Sequence, residues 1–150
     1  MSVSDSMATL EWCANALLDD LEEHQDEVHQ QGLARNSLDE VYLAEHCMVR
    51  LGTHRRSGHT TLAHKLAKEH PKSLLVVTSR TAADQAVDDG VPLVRTDGQV
   101  SQGQHLRGLD VETVIVDPSI PNYDTVHVIN RNLADCMASA ERPKILWLGA

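Results

Sequence analysis

Between Gly52 and Thr61 the chain reads Gly-Thr-His-Arg-Arg-Ser-Gly-His-Thr-Thr, a set of residue types suited to holding a phosphate. A tight turn that feeds a helix aims several backbone N–H groups, and the positive end of the helix dipole, at one point. Gly58 lets the backbone approach an anion closely, and the Thr60 hydroxyl is of the kind that ligates Mg2+ beside a phosphate. Arg55 and Arg56 add positive charge to the loop. Histidine also ligates metals, and His54, His59, His64 and His70 crowd this region. Their five- and six-residue spacings do not stack them on one helix face as an i, i+4 pair would, which argues against a histidine metal site.

The segment resembles the Walker A motif of P-loop NTPases, G-x-x-x-x-G-K-[ST], with two departures. Thr53 stands at the first glycine position, with Gly52 one residue early, and His59 stands at the lysine position. The run Arg55-Arg56-Ser57-Gly58-His59-Thr60-Thr61 is similar to the R-R-S-G-K-T form of phage terminase-type and helicase-like ATPases. Thr113-Val-Ile-Val-Asp117 resembles their Walker B strand, preceded by Arg107-Gly108. The segment Val76-Val77-Thr78-Ser79-Arg80, with Ala83 and Gln85-Ala86, is similar to the strand and loop after the Walker A helix. Ile145–Gly149 takes the place of the sensor strand. The likeness covers residues 46–150 and leaves 1–45 outside it.

The resemblance implies an ATP or GTP site with Thr53, Arg55, Arg56, Ser57, Gly58, His59, Thr60 and Thr61 around the phosphates. It implies Mg2+ held by Thr60 and Asp117, and a last strand inserted between the loop strand and the Asp117 strand. It also implies a viral accessory protein of the host cytoplasm; a motor of such a family needs a second lobe or a neighbouring subunit, as in a homo-oligomer, to supply an arginine. The glutamate that orients the attacking water in such families is absent: Pro118 and Ser119 follow Asp117. A neutral histidine at position 59 also contributes less charge to a phosphate than lysine does. Both departures predict weak hydrolysis or none.

Several elements must position these residues. Met7, Leu10, Ala14, Leu17, Leu18, Leu21 and Val28 recur at mostly three- and four-residue steps, predicting a helix over 4–30 with an acidic opposite face. Ser37–Glu40 fits a capping box for a second helix. His46–Leu51 reads equally as the end of that helix or as a short strand. Helices are expected over 60–70, 81–89 and 123–140, and strands over 73–78, 91–95, 113–117 and 145–148. A polar loop is expected over 97–108. The alternation predicts an α/β fold: a three-layer parallel sheet of about five strands, wound by right-handed crossovers, plus an acidic N-terminal helix or helical pair. The expected division is a helical arm, 1–45, and a P-loop-like domain, 46–150.

Composition narrows the classes further. The 150 residues include no Phe, two Trp and two Tyr, so the core must be aliphatic, and aromatic stacking on nucleic acid is disfavoured. Three isolated cysteines suggest neither a disulfide framework nor a zinc ribbon. No apolar run approaches the ~20 residues of a membrane span. The charge of −9 is uneven: residues 1–47 hold eleven acidic residues and one basic, whereas Arg50–Lys72 is basic. A basic centre beside an acidic helix favours an anionic ligand over a nucleic-acid-coating surface. Besides nucleotide binding, these features fit a second reading. In it the P-loop fold has no catalytic role, and the acidic helix 4–30 docks a protein partner.

Overall fold

The computed structural model describes residues 3–30, 47–51, 59–70, 72–102, 111–117, 131–134, 137 and 143–148. In chain order these form α1 (Val3–Gln30), β1 (Met48–Leu51), α2 (His59–Glu69), β2 (Ser73–Val77), α3 (Arg80–Asp88), β3 (Val94–Thr96), α4 (Asp97–Ser101), β4 (Thr113–Val116) and β5 (Lys144–Leu148), with 131–134 also helical. The expected second helix from Ser37, and the rest of the expected helix 123–140, lie outside the described residues.

All five strands run parallel, in the order β1-β5-β4-β2-β3. Every residue of β2 and β4 is buried, as a strand covered on both faces requires. Alternation divides the core in two. One face presents Val49, Leu51, Leu75, Val77, Ile115, Leu146 and Leu148 to α1, α2 and α3. The other presents Met48, Leu74, Val76, Val114, Val116, Ile145 and Trp147 to Val100 of α4 and to Leu133, Ala134 and Met137. The expected three-layer α/β arrangement is therefore observed, and the last strand does lie between β1 and β4.

The first layer includes α1. Ala14, Leu18 and Leu21 are buried, and polar ties fix the helix at several points along its length. Glu11 accepts from Lys65 Nζ at 2.7 Å, His70 Nε2 meets Asn15 Oδ1 at 3.3 Å, and Gln25 Nε2 donates to the Pro143 carbonyl at 2.8 Å. Lys144 Nζ lies 3.3 Å from Glu22.

Three local outcomes differ from, or decide, the sequence reading. Residues 48–51 are a strand, and Ile145 N–H donates to the Cys47 carbonyl just before it. The strand expected over 91–95 instead spans Val94–Thr96. Gly90, at φ +93°, ends α3 with paired bonds from Gly90 N–H to Val87 O and from Val91 N–H to Ala86 O. That helix stop uses Val91, and Pro92 has no N–H to give a ladder, so pairing starts later. The polar stretch expected as loop from Asp97 begins with a helical turn, Asp97–Ser101. Thr96 and Gln99 form a reciprocal capping box there, which offsets the cost of Gly98 inside the turn.

Candidate functional site

Because the sheet is wholly parallel, the C-terminal ends of all five strands share one edge. Leu51 pairs with Leu148, and Val116 pairs with Trp147. Asp117 therefore follows on the level of Leu148, two strand spacings or roughly 10 Å from Leu51. Its N–H donates to Val76 O at 2.8 Å. The carboxylate residue is only 7 % exposed. Continuing the alternation of β4 past Ile115 puts Asp117 on the face that α2 covers.

The helix after β1 starts at His59, at the same edge of the sheet. It carries no acidic residue in its first turn and has Lys68 in its last, so side-chain charge leaves the dipole at its N-terminus unopposed. Of the predicted phosphate-binding residues, Thr53, Arg55, Arg56, Ser57 and Gly58 lie outside the described residues. His59 and Thr60 are placed as backbone of the first turn of α2, and Thr61 is exposed there. The strand order thus brings the start of α2 and Asp117 to one edge, with β5 between their strands. Among the described residues no three His, Cys, Asp or Glu side chains gather as a metal cluster. A nucleotide-bound Mg2+ does not need one: it keeps waters and phosphate oxygens and takes one or two protein ligands. A single buried carboxylate at Asp117 fits that demand.

The clamp behind the edge is electrostatic. Asp89, which caps α3, receives His64 Nδ1 at 3.0 Å and Lys68 Nζ at 3.4 Å, both from α2. The His64 hydrogen bond, then that of Lys68, holds the Asp89 carboxyl below its usual range. The Lys65–Glu11 contact raises the lysine and lowers the carboxyl in the same way. Burial pushes His70 below the ordinary histidine value.

Sequence reasoning passed over two features. Arg50, paired in register with Trp147, lies over its indole at 5.8 Å; two residues so far apart in sequence carry no local signal of that contact. At the opposite edge of the sheet, Arg80 and Arg95 line an open groove. The T-x-x-Q spacing of Thr96–Gln99 was a legible sign of the turn that shapes it. No helix among the described residues is long and apolar enough to cross a membrane. Comparison of the chain with family models, curated proteins and solved structures gave no match.

Proposed function

We propose that the chain is a small nucleotide-binding protein of the P-loop kind that hydrolyses its ligand slowly or not at all. One observation carries the reading: the strand order β1-β5-β4, with Asp117 buried at the end of β4 on the edge from which α2 departs. On this reading the N–H groups from Ser57 to Thr61 hold the β-phosphate, and His59 lies towards the terminal phosphate. Thr60 and Asp117 would hold Mg2+, whose chemistry is to neutralise phosphate charge. Position 118, where a carboxylate would orient water, is proline, so binding is the function and turnover is not.

Calorimetric titration with ATP, GTP and ADP, with and without Mg2+, tests this. Micromolar binding that needs Mg2+ and disappears in Gly58→Val is the expected result. No heat at millimolar nucleotide, or unchanged affinity in that variant, overturns it.

A second reading rests on a different observation. Trp12 is 72 % exposed, on the same helix as the exposed Asp19, Asp20, Glu23, Asp26 and Glu27. An isolated surface tryptophan beside clustered carboxylates suits docking to a basic protein surface with an aromatic-accepting pocket. Removing α1 would expose core, so the fair test keeps the helix. Trp12→Ala combined with Asp19→Asn and Glu23→Gln should abolish binding to a partner in cross-linking. Retention of the same partner by that variant counts against the reading.

A further inference from the structure

The groove at the β3 edge encloses about 640 Å3, within the range of small-molecule sites. Its position follows from topology. The helix after β2, α3, packs on the first face of the sheet through Ala82, Ala83 and Ala86. The helix after β3, α4, packs on the opposite face through Val100. Adjacent parallel strands whose chains leave towards opposite faces open a crevice at their C-terminal ends, where ligands of α/β sheets bind. Arg80 opens α3 on one side of this crevice; Thr96 and Gln99 stand on the other.

The polarity of the lining is fixed by its internal bonds. Gln99 Oε1 accepts from Thr96 N–H at 2.9 Å, so the amide NH2 is the end of that side chain left to reach outward. Thr96 Oγ1 accepts from Gln99 N–H and keeps its own proton to donate. Arg95 Nη1 donates to the Val94 carbonyl at 2.8 Å. No carboxylate among the described residues pairs with Arg80. Against these donors stands one carboxylate of the lining, Asp84, and the exposed Val87 supplies an apolar wall.

An added peptide strand is the competing occupant of a sheet edge, and the same bonds oppose it. Leu75 N–H takes the Leu93 carbonyl, so residues 94 and 96 turn their backbone groups outward. The Val94 carbonyl and the Thr96 N–H are already engaged by Arg95 and Gln99. We propose that the groove is a second ligand site, for a small organic oxyanion whose phosphate or carboxylate meets Arg80, with the Thr96 hydroxyl and the Gln99 amide beside it, and whose apolar part lies on Val87. It stands four strand spacings from β1, roughly 19 Å, and does not depend on the nucleotide reading.

The test is a titration of the full 15N-labelled chain, followed by NMR. Inorganic phosphate serves as first probe, then glycerol 3-phosphate and citrate, which separate phosphate from carboxylate preference. Saturable shifts at the amides of Arg80, Ala83, Thr96 and Gln99 are expected, with a dissociation constant of ~1 mM or below for the best organic anion. Arg80→Gln should weaken it about tenfold or more. Val87→Trp, which fills the groove and leaves Arg80 in place, should do the same. Gly58→Val should leave it unchanged, separating this site from the one after β1. Shifts that stay linear, that persist in both groove variants, or that arise only with an oligonucleotide overturn the proposal.

Discussion

His59 and Asp117 would contribute charge to one site in different ways. Asp117 is buried at a strand end, where a carboxylate tolerates burial when it is hydrogen-bonded or meets a cation. On the nucleotide-binding reading, His59 stands where a permanent positive charge would add a charge-assisted hydrogen bond, about 1.5–3 kcal/mol. On that reading, His59→Lys should therefore tighten ATP roughly tenfold or more, and Asp117→Asn should remove the dependence on Mg2+ while leaving weaker metal-free binding. Calorimetry of both variants checks the pair; a His59→Lys protein with unchanged affinity would mean that the residue does not face phosphate. The position of Asp117 was legible because an apolar run stopped at a carboxylate. The groove arginines were not: whether Arg80 and Arg95 line one groove depends on β2–β3 register, which no local pattern of residues records.

Among the elements, α1 divides into a buried stripe and an exposed one, and mutations should separate them. Leu18→Ala should cost about 2–5 kcal/mol by urea denaturation, whereas Trp12→Ala should stay within about 0.5 kcal/mol. The ties between α1, α2 and α3 also set two pH windows. Asp89 has its folded pKa lowered, chiefly by the His64 bond. Its contribution is present above the unfolded carboxylate value near 4 and is lost as pH falls below it. His70 is lowered by burial, so the folded state resists protonating it. That part of the stability is complete above about pH 6.5 and declines as pH drops below. Thermal melts from pH 7 to 3 should show both declines, with Asp89→Asn lessening the lower one, to which Glu11 also contributes through Lys65, and His70→Gln removing the upper. The continuous runs of β2 and β4 declared themselves in the sequence because strands buried on both faces need apolar residues throughout. Helix α4 did not. Its Gly and Gln content reads as loop, and the turn persists because the capping box satisfies donors that a polarity pattern does not count.

At the scale of the whole molecule, the basic centre and the acidic helix are neighbours in space, since Lys65 meets Glu11 directly; Lys144 of β5 adds a second tie to the helix at Glu22. Raised salt should weaken these exposed pairs modestly and leave the aliphatic core untouched. The sheet order has a consequence for how the chain reaches this state. Among the described residues β1 has one sheet neighbour, β5, and nearly a hundred residues separate them in sequence. A ribosome making the chain from its N-terminus would release β1 early, with no ladder to join. Strands β2, β3 and β4 could associate meanwhile, but β1 must wait until 144–148 emerge and slot between it and β4. A chain stopped before Pro143 should therefore lose its cooperative urea transition, not merely a terminal strand. The segment made late is the one that closes the sheet.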